Sequence, residues 1–327
     1  MDQGPSAAVK CEPSPLAFTY ALRAATEAAA LACHAGLRRG DRAAAARAGA
    51  EAMRAALATL HLDGEVVAGE SADSPGSLLP PGLRLGAADS AAAFDIAVDP
   101  AEGTTYMTDS GVNNALSVLA VAPRGTLFRP GPAFYMEKFA GPPAVRGRID
   151  PAAPVAETLR VLADCLNKPV SALTIYVLEK PRHRALVDAI QRTGAHVALH
   201  AAGDVAGALM AAIPDSGVDA MMGTGGTPEG VLAACAVRAL GGEFLGRINP
   251  QLNTERMAVR AAGMDTTRWL GTAELVASDD IHFCATGIAD GLLLGGVTAT
   301  AEGMRTHSLL IAGGSPGRQV VTSWRRG

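Results

Sequence analysis

Four carboxylates and two cations stand where a side chain can reach a ligand. In FDIAVDPAEGTTYMTDSG, residues 94–111, an alternating apolar run ends on Asp99, turns through Pro100 and Gly103, and carries Glu102 and Thr104 with it. Phe94, Ile96 and Val98 alternate with Asp95, Ala97 and Asp99 in the period of a strand, so Asp95 and Asp99 project from one face. Carboxylate oxygens near a glycine turn and two hydroxyls suit a hard divalent cation beside a bound anion. Glu70 closes a second short strand. Glu229 lies in GTGGTPEG, residues 223–230, where Pro228 at a first helical position marks a helix N-terminus. Such a terminus binds anions, and a carboxylate placed there can instead hold a metal beside the anion. Taken singly, Glu70 reads as a solvated strand end and Glu229 as a first-turn helix acid. The D-P-x-E-G-T cluster tips the set toward metal.

Lys180-Pro181-Arg182-His183 falls where a strand meets a helix, so both cations can reach one anionic group. An arginine there clamps phosphate in bidentate fashion and a lysine acts as a point charge; surface charge at a loop is the other reading. Tyr135, in GPAFYMEK, is a rare aromatic among acid and base residues, suited to stacking on or hydrogen-bonding a sugar. Lys10, Lys138, Lys168 and Lys180 are the only lysines, which makes each of interest. His196 and His200 are spaced i, i+4 but fall on a predicted strand, which argues against a metal pair. His34, His61, His282 and His307 have no companions and read as structural.

Positioning these groups requires an alternating architecture. Residues 16–38 and 43–60 are rich in helix formers, and RRGD at 38–41 separates them. Residues 62–70 read as a turn and a short strand, and a Pro/Gly-rich polar loop follows. NALSVLAVAPRGTLF, 114–128, predicts a hairpin around Pro-Arg-Gly. From TIYVLE at 174–179 onward, strand–loop–helix units recur through 195–213 and 219–242, and the tail after about 270 adds strands. Such repetition implies an α/β layer with ligands at the carboxyl ends of its strands. The expected organisation is a mobile segment 1–14, an N-terminal α/β domain 15–168 carrying the carboxylates, and a C-terminal α/β domain 169–327.

The chain is 49% hydrophobic but only 4% aromatic, so its core must be mostly Ala, Val and Leu. A net charge of −4 provides no basic stripe, which argues against nucleic acid as a partner. Five scattered cysteines without a CxxC pair read as buried free thiols. The opening MDQGPSAAVKCEPSP lacks a basic start followed by an apolar run, and no stretch approaches a membrane span; a cytoplasmic protein without membrane partners is expected.

The ordered set RRGD, DGEVVAGE, VDPAEGTT…NALSVLAV, YMEK, KPRH, GD, GTGGTPEGV and ATGIADG resembles the class II, GlpX-type fructose-1,6-bisphosphatases. These belong to the lithium-sensitive, metal-dependent sugar phosphatases, and the likeness runs from about residue 16 to the tail. The resemblance implies a layered α/β/α/β/α sandwich, a homo-oligomer, and hydrolysis of a sugar-phosphate ester with Mg²⁺ or Mn²⁺. It makes Glu70, Asp99, Glu102 and Glu229 metal ligands and Thr104 the residue orienting the attacking water, with Asp73 as its partner. It places Gly103, Thr104, Tyr135, Lys180, Pro181, Arg182, Gly203, Asp204 and Gly226 at the substrate.

Departures from the family pattern cluster at the same places. GDRAAAARAG has Arg42 for Lys, and Ala44 and Ala46 where Thr and a metal-binding Asp are expected. Ser74 falls by direct count at the aspartate that pairs with the threonine, with Asp73 adjacent. Ala202-Gly203-Asp204 replaces D-G-D, and Thr105-Tyr106 is a short insertion. Loss of one preorganised electrostatic group costs about 10²–10³-fold in rate. Three readings therefore stand: a phosphatase of fructose 1,6-bisphosphate or a related sugar phosphate, a paralogue with changed chemistry on another phosphorylated sugar or nucleoside, and a non-catalytic sugar-phosphate-binding protein.

Overall fold

The computed structural model describes residues 15–70, 77–86, 93–104, 113–315 and 317–326. The chain begins with α1 (Pro15–Leu37), α2 (Arg42–Ala58), β1 (Asp63–Ala68), β2 (Arg84–Gly86), β3 (Ala93–Glu102), β4 (Leu116–Pro123) and β5 (Tyr135–Gly141). It continues through α3 (Val155–Leu166), β6 (Thr174–Leu178), α4 (Arg184–Arg192), β7 (His196–His200), α5 (Asp204–Ala212), β8 (Ala220–Gly226) and α6 (Thr227–Ala239). The last part is β9 (Glu243–Ile248), α7 (Asn253–Ala261), α8 (Thr272–Leu275), β10 (His282–Gly287), β11 (Thr298–Thr300), β12 (Gly303–Ala312) and β13 (Arg318–Arg325).

Two sheets result. The larger runs β11-β12-β10-β4-β3-β1-β2, with β13 also paired to β12; the smaller runs β7-β6-β8-β5-β9. Alternation along the strands decides what each face covers. On β4, Val118, Ala120 and Ala122 join one core while Leu119 and Val121 join another. On β6, Tyr176 and Leu178 turn inward while Ile175 and Val177 turn outward.

The inner faces of both sheets meet α5 and α6. All nine residues of α5 are buried, as expected of a helix that, after Asp204 at its start, is apolar all round and has a sheet on either side. Leu22, Met53 and Leu57 of α1 and α2 cover the outer face of the large sheet. Leu159, Leu162 and Ile190 of α3 and α4 cover that of the small one. The layering is α/β/α/β/α, as the resemblance implied.

The expected boundary at 168/169 falls between α3 and β6. β5, from before it, lies in the small sheet, and β10–β13, from after it, complete the large one. The 114–128 hairpin does not form. Its turn does, with Thr126 N–H donating to the Pro123 carbonyl at 3.2 Å. Both edges of β4 are already taken by β3 and β10, however, so the chain leaves the sheet and Leu127 bridges Val276. Cys33, Cys235 and Cys284 are buried thiols whose pKa values burial pushes up, and Cys165 is half-buried. Among the described residues, no helix is long and apolar enough to cross a membrane.

Candidate active site

A cavity of about 380 Å³ opens at the carboxyl ends of β1, β3, β6 and β8, against the first turns of α5 and α6. Each strand end delivers a different chemistry. Beyond β1, Glu70 is held by the loop it faces: its Oε2 accepts from the N–H groups of Leu78 (2.7 Å) and Leu79 (3.0 Å) and from Ser77 Oγ (3.3 Å). The end of β3 brings Asp99, Glu102, Gly103 and Thr104 into the lining. Gly103 has φ +79°, the left-handed conformation that glycine adopts without a steric cost. Thr104 Oγ1 donates to the Ala101 carbonyl (2.8 Å), so its lone pairs remain as acceptors.

The carboxylates raise one another. Asp99 is pushed up to about 7 by burial and by the charges of Glu229 and Glu70, against the Ala101 N–H that its Oδ1 accepts at 2.9 Å. Burial, with the charges of Asp99, Asp204 and Glu229, lifts Glu102 well above the usual carboxylate range. Glu229 is also raised, by burial first, although the Lys138 ammonium pulls the other way. Glu102 Oε2, Asp204 Oδ1 and Glu229 Oε2 are buried oxygens without a hydrogen-bond partner. Buried acceptors of this kind are costly unless a cation or donor meets them. The described residues contain no ready-made cage of three His, Cys, Asp or Glu side chains. What fits a hard cation here is the donor set, all oxygen, together with its unmatched negative charge.

Two glycines make room for these groups. A Cβ at Gly226 would lie 1.8 Å from Glu229 Oε2, and one at Gly225 would lie 2.0 Å from Asp204 Oδ2. At Gly203, φ +99°, a Cβ would meet Asn114 Cβ and the Tyr176 hydroxyl, both at 2.8 Å. That hydroxyl donates to the Ala202 carbonyl (2.9 Å) and accepts from Asn114 Nδ2 (3.3 Å), fixing the turn into α5.

Lys180, Arg182 and Tyr135 stand on the cavity wall facing this set. Arg182 donates from Nε to the Thr224 carbonyl (2.9 Å), and its guanidinium carbon lies 5.1 Å from the Tyr135 ring centroid. Burial and the Arg182 charge lower the pKa of Lys180. Beneath them, buried His183 accepts the Thr224 N–H at Nε2 (2.7 Å), so Nδ1 carries the proton given to the Leu178 carbonyl (2.6 Å). This imidazole ties the 181–183 turn to β8. Glu255 does the same for Tyr135, accepting the N–H groups of Phe134 and Tyr135 at 2.7 Å each.

Glu70, Asp99, Glu102, Gly103, Thr104, Tyr135, Lys180, Arg182, Gly203, Asp204, Gly226 and Glu229 thus share one cavity. Pro181 is exposed, opens the single turn Pro181–His183 and is not part of the lining. Asp73, Ser74, Thr105 and Tyr106 lie outside the described residues. Asp95 does not join Asp99. It is buried under the turn after β4, accepting from Gly125 N–H (2.7 Å) and Leu127 N–H (3.1 Å). Alternation gave the two aspartates one face, but four residues of strand separate them by about 13 Å. Sequence reasoning noted Lys138 as a scarce lysine and His183 within its motif but gave neither a role, and it passed over Glu255.

The sequence matches, over residues 17–325, the family described as bacterial fructose-1,6-bisphosphatase, glpX-encoded. It is 40% identical over 303 residues to fructose-1,6-bisphosphatase 1 class 2 of Escherichia coli (strain K12), covering 89% of each chain. The fructose-1,6-bisphosphatase class 2 of Shigella flexneri stands at the same 40% identity and 89% coverage.

Proposed function

The chain belongs to the glpX-encoded bacterial fructose-1,6-bisphosphatase family, and on that premise we propose that it is a metal-dependent phosphatase acting on fructose 1,6-bisphosphate or a related sugar phosphate. The observation that carries this reading is the cavity in which burial and neighbouring carboxylates raise the pKa values of Asp99, Glu102 and Glu229, and Glu102 and Glu229 each leave a buried oxygen unmatched. Glu70, Asp99, Glu102 and Glu229 would hold Mg²⁺ or Mn²⁺. When bound, such a cation polarises a phosphoryl oxygen and lowers the pKa of a water molecule.

The protein's own residues supply the rest. Thr104, whose proton is committed to Ala101, offers a lone pair to orient the attacking water, and Asp73 would take up the proton that the water itself releases. Gly103 leaves space for phosphate against the backbone. Lys180 and Arg182 neutralise charge that develops on the phosphoryl group or on a second phosphate. Tyr135, Gly203, Asp204 and Gly226 line the sugar side, and Pro181 sets the turn that carries the two cations. Attack in line at phosphorus forms the new P–O bond as the ester bond breaks; the attacking water gives up one proton and the leaving sugar oxygen takes one up from solvent. We place the enzyme in the cytoplasm as a homo-oligomer.

A second reading, another phosphorylated sugar or a nucleoside phosphate as substrate, is favoured by the lining itself. Ala46 and Ala202 present methyl groups to the cavity, and Phe134, 50% exposed, adds a ring at its wall. Phosphate release from a panel of sugar and nucleoside phosphates, with Mg²⁺, Mn²⁺ or chelator, tests both. Release that needs metal and disappears in Glu102→Ala is expected, and the best ester names the substrate. No release from any ester, with the sugar phosphate still bound by calorimetry, would sink both in favour of a binding protein.

A further inference from the structure

Lys138 is given no role at the substrate in the chemistry outlined above; besides its pull on Glu229, it reaches into the acidic cluster from behind. It lies on β5 opposite Gly223 of β8, with its side chain 1% exposed. Its Nζ donates to Asp204 Oδ2. The surroundings are shaped for this contact. A Cβ at Gly230 would lie 3.1 Å from Lys138 Cε, and one at Gly225 would lie 2.0 Å from the same Asp204 Oδ2. Asp204 is also held through its backbone, whose N–H donates to Glu102 Oε1 at 2.8 Å. The carboxylate is therefore fixed on one side by an ammonium and a close-packed glycine. Its other oxygen, Oδ1, is buried without a partner in a residue that lines the cavity.

A buried ion pair is weak evidence of stabilisation, because well-packed apolar residues of similar volume serve as well or better. An orphaned acceptor held rigidly at a cavity wall has a use only when a donor arrives. We propose that Lys138 is a positioning residue for substrate selection: it fixes the Asp204 carboxylate so that Oδ1 accepts a hydrogen bond from a hydroxyl of the bound sugar. On this basis the pair governs affinity for the polyol portion of the ligand and leaves the grip on phosphate to Lys180 and Arg182. The inference rests on the reading of the ligand as a sugar phosphate.

The experiment measures binding by calorimetry in Mg²⁺, with fructose 6-phosphate and inorganic phosphate as the two probes. Wild type is compared with Lys138→Met, Asp204→Asn and the double variant. Loss of a hydrogen bond to a charged group predicts about 10- to 100-fold weaker fructose 6-phosphate binding in Lys138→Met. Inorganic phosphate binding should stay within about twofold, and Lys138→Met should add less than about twofold in the Asp204→Asn background. A merely structural lysine would weaken both probes alike.

Equal losses for both probes, no loss for either, or independent multiplication of the two substitutions would overturn the proposal. So would wild-type protein that binds phosphate but not fructose 6-phosphate. If Lys138→Met fails to fold, the double variant, which removes both charges, carries the comparison. Affinity equal to that of Asp204→Asn alone is expected, and a further loss overturns it. Wild-type protein that releases no phosphate from any ester refutes the phosphatase reading, while the contrast between the two probes still decides this one.

Discussion

Replacement of Gly226 by alanine displaces one carboxylate, and the metal requirement reads that displacement apart from any crowding of the sugar side. Gly226 has φ −68° and ψ 142°, a conformation open to any residue, so alanine brings no backbone strain. The new methyl carbon would sit 1.8 Å from Glu229 Oε2 and 2.5 Å from its Cδ, where ordinary contact begins at 3.4 Å. The carboxylate is the far end of a flexible side chain and can swing away, so the fold survives. It must retreat by roughly 1.5 Å, however, against a tolerance of about 0.2 Å for a metal ligand. A displacement of about 1 Å at a reacting centre costs on the order of 10²-fold in rate. Gly226→Ala should therefore lower kcat/KM for metal-dependent phosphate release by about that factor and raise the Mg²⁺ concentration needed for half-maximal rate. Thermal unfolding should move little, since alanine in place of glycine at a helix N-cap costs about 1 kcal/mol or less. Activity within a factor of a few of the parent, at an unchanged metal requirement, would show that Glu229 does not act from the position it occupies here.

Two further expectations follow from the same geometry. The carboxyl of Asp99, raised to about 7 by burial and by Glu229 and Glu70, is bound more tightly to its proton in the folded than in the unfolded chain, where the value is about 3.9. Its stabilisation is complete below the unfolded value and is lost as pH rises through about 7, and Glu102 and Glu229 shift the same way. In chelator the Tm should fall across that window, and Mg²⁺ should restore more of it at pH 8 than at pH 5.5; an equal Mg²⁺ shift at both would contradict the clustering. In the middle layer, a Cβ at Gly207 would lie 2.5 Å from Cδ1 and Cε1 of the Tyr176 ring. Gly207→Ala should destabilise by about 1–3 kcal/mol through overpacking, less the roughly 1 kcal/mol alanine gains in a helix; a higher denaturant midpoint in the variant would refute the close packing.

The layers were legible because the period of the hydrophobic pattern carries them. Strand–loop–helix repetition over 174–242 predicted the small sheet's parallel strands, and β6, β7 and β8 form there with α5 and α6 following their strands. What periodicity does not contain is occupancy of an edge. The apolar run of β4 and the turn at Pro123 looked complete as a hairpin, but pairing to β3 and β10 is fixed by segments tens to more than a hundred residues away. Asp95 illustrates the same limit within one strand: its face was right, and its partner was a turn that no local pattern announces.

The site divides along a related line. Of the residues that face the cavity, Glu70, Asp99, Glu102, Glu229, Tyr135, Lys180 and Arg182 stood out in the sequence because they set charges or a rare aromatic beside strand ends and turns, whereas Gly203, Asp204 and Gly226 were named only by the family resemblance. Residues that hold them from behind did not stand out. Lys138, His183 and Glu255 each carry a polar group into a buried position whose partner lies on another element: Asp204 for the first, Thr224 and Leu178 for the second, Phe134 and Tyr135 for the third. A buried polar or charged group with no visible partner, such as neutral His183 or the Lys138 ammonium, reads in sequence as an ordinary surface residue of a strand or helix. Only the three-dimensional neighbourhood shows that the alternative, for the lysine, is an unpaired charge in the interior, costing several kcal/mol. The same neighbourhood explains why Gly225 and Gly226 end β8 and Gly230 sits in the first turn of α6: the first two leave out methyl groups that would displace Asp204 and Glu229, and the third one that would crowd Met136 Sδ and Lys138 Cε. The Gly-rich segment thus seats charged side chains, and that use cannot be read from its spacing.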